Sequence, residues 1–181
     1  LLAILGGIVL GTLLALMRLS GFLPLSLFAS GYVNLIRSIP LILVIFWFYF
    51  LVPLAIGRPI GSFYSALIAF TLFEAAYYSE IIRAGIQSVS HGQSEAAMAI
   101  GLKPGQVLNL VILPQALRVI IPPLTSQMLN LTKNSSLAVA IGFPDFVSVA
   151  NTTINQTGQS IEGVALIMAV YLFFSLSTSA F

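Results

Sequence analysis

Apolar residues fall in long runs broken by short polar intervals, and the runs are long enough to cross lipid rather than to fill a soluble core. Spanning takes about 20 mostly apolar residues. Leu1–Met17 is a first such run, stopped by Arg18. Ser20–Ser38 mixes apolar and polar positions and contains Gly21, Pro24 and Gly31, which suits an amphipathic elbow on the membrane surface. Leu41–Leu54 is a second span, opened by Pro40 and closed by Pro53, with a turn over Pro53–Gly61. Ser62–Ala84 is a third span, followed by a polar interval from Gln87 to Gln106. Arg118–Leu131 is a fourth, approached through Val107–Leu117, where Pro114, Pro122 and Pro123 predict kinks. Gly142–Gln159, rich in Asn, Thr and Gln, reads as an external hairpin with some helix after Pro144-Asp145. Ile161–Phe181 is the fifth span. The pattern predicts an all-α membrane protein with five transmembrane helices in one domain, residues 1–181, without an internal repeat.

Composition narrows the class. Hydrophobic residues make up 59% of the chain and charged ones 7%, against about 25% in soluble domains, so lipid is the solvent for most of it. With no cysteine and one histidine, disulfides, thiolate sites and multi-histidine metal sites are excluded. A net charge of +2 offers nothing to nucleic acid. The chain begins without Met inside an apolar run and ends on Ser179-Ala180-Phe181, which reads as cropped at both ends. Leu1–Met17 lacks the basic leader and cleavage site of a signal peptide.

Lysine and arginine near span ends set orientation. With the Gln87–Gln106 interval in the cytoplasm, Arg18, Arg37, Arg83, Lys103 and Arg118 lie inside, and Arg58 and Lys133 outside. The N-terminus is then external and the C-terminus cytoplasmic. Within that interval, Ala96, Ala97, Ala99 and Gly101 give a short helix over Gln93–Leu102 a nearly bare face, open to close approach by another protein.

Polar groups inside spans are rare and mark candidate chemistry. Glu74 lies about 18 Å into the third span, with Tyr77 and Tyr78 at i+3 and i+4 as possible hydrogen-bond donors. It is either a group on a water-filled path that meets a cation or a hydrogen-bond partner inside the bundle. Glu80 and Arg83 are spaced to pair, as a transport element or as an interfacial anchor. Thr132-Lys133-Asn134-Ser135-Ser136 predicts a broken helix end, where Lys133 and Asn134 could hold a substrate carboxylate; the alternative is an ordinary interfacial end with Lys133 snorkelling outward. His91 at a loop–helix junction carries no assigned chemistry.

The order Glu95-Ala96-Ala97, three residues, Gly101, nine residues, Val111-Ile112-Leu113-Pro114 resembles the EAA loop of binding-protein-dependent ABC importer permeases, with Val where the family prefers Ile. Arg37-Ser-Ile-Pro40, Ser79-Glu-Ile-Ile-Arg83-Ala-Gly-Ile, Leu113-Pro-Gln-Ala-Leu-Arg118, Lys133-Asn-Ser-Ser-Leu137 and Asn155-Gln-Thr-Gly158 extend the likeness to polar amino acid permeases, nearest to general L-amino acid permease subunits. Glu74 departs from that pattern, which has a small or uncharged residue there.

The resemblance implies a type I, MetI-like importer permease of the bacterial inner membrane, with a cytoplasmic coupling helix in region 91–103. Glu95, Ala96, Ala97, Gly101, Leu113 and Pro114 would couple it to the ATPase. The implied partners are ABC ATPase subunits, a second permease chain (identical or homologous), a periplasmic substrate-binding protein, an amino acid substrate and lipid. ATP and Mg would be bound by the ATPase subunits, since this chain has no phosphate-binding Gly-x-x-x-x-Gly-Lys-Ser/Thr loop. The rival reading is a secondary transporter or channel independent of ATP, which would need a complete pathway of its own. A membrane enzyme finds no paired carboxylate, Ser–His pair or metal cluster at workable spacing.

Overall fold

A computed structural model describes residues 1–179, and the side chains of 178 and 179 are not described. Every regular element among them is helical. We number them α1 (Leu2–Leu19), α2 (Leu23–Arg37), α3 (Leu41–Ile56), α4 (Ser62–Gln87), α5 (His91–Ala99), α6 (Pro104–Ile141), α7 (Phe146–Thr157) and α8 (Ser160–Ser179). Four helices, α1, α4, α6 and α8, are long and apolar enough to cross a membrane, and α2 with α3 gives a bent fifth.

α4 is the axis of the bundle. It buries Ser65, Ala66, Ala69, Phe70, Phe73, Glu74, Ala75, Ala76, Tyr78, Ser79 and Gly85, residues from more than one face, because α1, α2, α3 and α6 all pack on it. α1 approaches closely through a stripe without side chains. A Cβ at Gly7 would lie 3.0 Å from Glu74 Cβ, and one at Gly11 would lie 2.9 Å from the Ala75 carbonyl oxygen. Where lipid removes the hydrophobic drive between helices, such backbone proximity is the main source of packing energy.

α2 and α3 meet at 106°, with the break at Ser38–Pro40. The Leu41–Leu54 span continues to Ile56 but rises only about 24 Å, so the crossing leans on α2, which the sequence pattern predicts as an elbow on the membrane surface. Tyr32 of α2 donates to the Leu72 carbonyl of α4 at 2.8 Å, so its inner face is part of the bundle.

Two wide π turns interrupt α3 and α6, at Trp47–Leu51 and Leu108–Ile112. Each ends two residues before a proline, Pro53 and Pro114. Proline cannot donate to the carbonyl four residues earlier, and the widened turn absorbs the lost bond.

The fourth span is corrected in two ways. It is one helix of 38 residues, not Arg118–Leu131 with a separate approach. It is also not broken at Thr132–Ser136: Thr132 Oγ1 donates to the Met128 carbonyl at 3.0 Å, Ser135 Oγ to Thr132 at 2.8 Å and Ser136 Oγ to Lys133 at 2.9 Å. Those back-bonds stay within the helix, which tightens to a 3-10 turn over Ser135–Ile141. α7 starts where Asp145 Oδ1 accepts from the Ser148 amide at 2.8 Å, inside the region read as an external hairpin. α8 begins at Ser160, and Ala180 and Phe181 of the fifth span fall outside the described residues.

Candidate functional site

The short helix after α4 runs His91–Ala99, two residues earlier at its start and three at its end than the expected Gln93–Leu102. Glu95 and Ala96 are exposed and Ala97 alone of the helix is buried, while Met98 and Ile100 stand 49% and 81% exposed. Gly101, at φ +90°, closes the helix: its amide donates to Met98 at 2.9 Å and the Leu102 amide to Ala97 at 3.2 Å. This is the left-handed turn that glycine adopts freely. Gln115 Nε2, one residue past Leu113-Pro114, reaches Gln93 Oε1 at 3.5 Å. This contact joins the short helix to α6 just past its π turn.

Glu74 is fully enclosed, at 0% exposure, between Gly7 of α1 and Gln127 of α6, whose Nε2 donates to its Oε1 at 3.3 Å. The Tyr78 hydroxyl lies beside the carboxyl without bond geometry, and Glu74 Oε2 and that hydroxyl are buried with no hydrogen bond formed. Tyr77 turns elsewhere, stacking near Phe73 at 4.9 Å and lying under the Arg37 guanidinium. In this conformation, then, Glu74 faces the bundle and not an aqueous path. Gln127 carries no signal in the sequence beyond being a polar, uncharged residue in a span.

Glu80 and Arg83 do pair, and the pair belongs to a larger cluster. Arg18 Nη1 lies 2.6 Å from Glu80 Oε2 and Arg37 Nη1 3.6 Å from it. Three helices are tied at one level by a single carboxylate. Arg18 and Arg37 were legible as inner-side cations; their convergence was not, because it depends on how α1 and α2 pack on α4.

α6 splits the Lys133–Asn134 pair. Lys133 is exposed and Asn134 half-buried, as expected for neighbours about 100° apart on a helix. Lys133 shares its exposed side with Arg118, Ser126 and Asn130. Neither Arg118 nor Lys133 has a carboxylate within 4 Å among the described residues. Lys133 and Ser136 also border an open groove of ≈ 570 Å³ against Met168, Tyr171 and Leu172 of α8. A charged and amide-bearing stripe on a spanning helix faces water or another chain, not acyl tails.

Residues 7–181 match the model of a family described as binding-protein-dependent transport system inner membrane component. The chain belongs to that family. It is 46% identical over 184 residues to the glutamate/aspartate import permease protein GltK of Escherichia coli O6:H1, covering 98% of this chain and 82% of that one. It is 57% identical over 120 residues to the glutamate/glutamine/aspartate/asparagine transport system permease protein BztB of Rhodobacter capsulatus, covering 66% of this chain and 28% of that one. Among solved structures, an amino acid ABC transporter crystallised with histidines superposes with a TM-score of 0.91 at 34% identity, covering 99% of this chain and 83% of that one. The inward-facing MetNI methionine ABC transporter shares the fold, with a TM-score of 0.77 at 20% identity over 98% of this chain and 84% of that one. The chain is thus a multi-pass permease subunit of the ABC importer class, with the MetI-like fold. Its relatives are permease subunits of ABC systems, which does not favour a secondary transporter or channel acting alone.

Proposed function

We propose that the chain forms half of an amino acid path through the bacterial inner membrane, with the exposed stripe of α6 as its wall. The observation that carries this reading is the placement of Arg118, Ser126, Asn130 and Lys133 on one open side of a helix that starts beside the EAA pattern. A second permease chain, identical or homologous, supplies the opposite wall. Lys133 takes the substrate carboxylate as a point charge, with Ser136 beside it and Asn134 turned toward the bundle. Glu74, Tyr77, Tyr78 and Glu80 form the frame behind the wall. Neither intramembrane carboxylate is free to meet a cationic side chain: Glu74 is enclosed and Glu80 is held by arginines. Glutamate, aspartate and their amides stand in the names of two similar relatives and are the proposed cargo; an arginine permease and a transporter crystallised with histidines are also similar.

Helix α5, with Glu95, Ala96, Ala97 and Gly101, docks on the ATPase subunits, which bind ATP and Mg. Leu113 and Pro114 join that helix to the wall. The periplasmic binding protein meets the outer side near Gly142–Gln159. Closure of the ATPases on ATP draws α5 and tilts α6, opening the path alternately inward and outward.

The test is uptake into vesicles carrying the permease, its ATPase and its binding protein. ATP-driven glutamate uptake is expected, with KM raised about tenfold in Lys133→Gln, the scale of one lost charge-assisted hydrogen bond. Uptake that persists without hydrolysable ATP contradicts the mechanism. An unchanged KM in Lys133→Gln removes Lys133 from the path.

A further inference from the structure

The cluster around Glu80 holds more positive charge than this chain neutralises. One carboxylate faces three guanidinium groups, and two of these also hydrogen-bond elsewhere: Arg18 Nε donates to Ser30 Oγ at 3.3 Å, and Arg83 Nη1 donates to Gln87 Oε1. Arg37 differs. Among the described residues it makes no hydrogen bond; its Nη1 stands 3.6 Å from Glu80 Oε2, and its guanidinium lies 5.3 Å from the centroid of the Tyr77 ring. Its side chain is 38% exposed, while that of Arg18 behind it is 9% exposed. An arginine has five N–H donors, so this one presents an unoccupied fork backed by a second buried cation. Arg18 and Arg37 lie in the last turns of α1 and α2, where helix dipoles offset part of the excess.

Depth and surroundings indicate what the fork meets. Glu80 lies about 27 Å along α4 from Ser62, close to the full hydrocarbon thickness of about 30 Å. That places it near the inner end of the span, where a long basic side chain can reach toward the headgroups. α2, bent by 106° from α3, exposes Leu23, Leu27, Phe28 and Leu35, each more than half accessible, as is Phe22 before it. This half of the bent span is thus apolar on its free side and ends in Arg37 beside the Glu80 cluster.

We propose that Arg37, supported by Arg18 and Arg83, binds the phosphate of an anionic phospholipid of the inner leaflet, whose acyl chains lie against the apolar side of α2. Basic pockets between helices on the cytoplasmic side recognise such headgroups by charge complementarity. The lipid would pin the α2–α3 bend against α4, beside the coupling helix. This proposal is independent of the α6 path and survives or fails without it.

The test uses the assembled permease–ATPase complex, stripped in detergent and titrated with phosphatidylglycerol or phosphatidylcholine, with bound lipid read by native mass spectrometry. Phosphatidylglycerol is expected to be held at least tenfold better than phosphatidylcholine. Arg37→Gln is expected to weaken it about fivefold, the effect of one basic group at an anionic surface, and Arg37→Lys to weaken it less. Equal retention of the two lipids, or equal retention by Arg37→Gln, overturns the proposal. Displacement by millimolar inorganic phosphate makes the pocket a soluble-anion site, and displacement by glutamate makes it part of the substrate path; either result overturns the lipid. Should Arg37→Gln fail to assemble, the two-lipid and competition measurements on the unaltered complex still decide the question.

Discussion

Gly101 and Glu74 show how different physical constraints act on single residues. At Gly101 the constraint is the backbone: φ is +90° and a Cβ would touch nothing, so a side chain is strained by conformation and not by crowding. Gly101→Arg is therefore expected to insert in membranes at normal levels yet recover at least tenfold less ATPase on co-purification, because the turn that ends α5 is lost. Normal ATPase recovery would show that the turn is dispensable. At Glu74 the constraint is enclosure. Glu74→Gln keeps an acceptor for the Gln127 amide, whereas Glu74→Ala leaves that amide unpaired at a cost of about 1–3 kcal/mol. Thermal melting of the purified complex should separate them, with Ala lowered and Gln nearly unchanged. A Gln variant with altered amino acid preference and unchanged melting would return Glu74 to the path. The sequence showed that a carboxylate sits deep in a span; it could not show which neighbours close over it, since Gly7 and Gln127 are 67 and 53 positions away.

At the level of elements, local chemistry was legible and relative placement was not. Spans α1, α4 and α8 follow directly from apolar runs, and the start of α7 from Asp145. The break predicted at Thr132–Ser136 failed because hydroxyl back-bonds can tighten a helix as well as end it. The prolines were expected to kink α6; it runs on as one helix of 38 residues, and the local change is a π turn before Pro114, which shifts the helical phase beyond it. Pro114→Ala restores a donor and lets that turn relax to regular helix. Its expected result is ATP hydrolysis that continues while uptake per ATP falls severalfold. An unchanged coupling ratio would mean that the π turn is passive. The α1–α4 contact makes a stability prediction: a Cβ at Gly11 would sit 2.9 Å from a backbone oxygen that cannot yield, so Gly11→Ala should cost about 1–3 kcal/mol in thermal melts. A melt unchanged from the natural chain would show that α1 is free to slide.

The whole molecule is a bundle of spanning helices with one short, largely exposed helix that touches it through α6. α8 buries none of its apolar window against this chain, and α6 leaves a charged side open, so the single subunit leaves one apolar helix and one charged helix side uncovered. The bias of lysine and arginine predicts that the Glu80 cluster and α5 share the inner side. The absence of cysteine allows the arrangement to be probed cleanly. A single cysteine at Met98, reacted with an impermeant maleimide in sealed vesicles of each orientation and then cross-linked with and without ATP, tests it most directly. The account predicts labelling only in inside-out vesicles and a cross-link to the ATPase whose yield changes with ATP. Labelling from the outer face, or a functional complex in which Met98→Cys never reaches the ATPase, would contradict it.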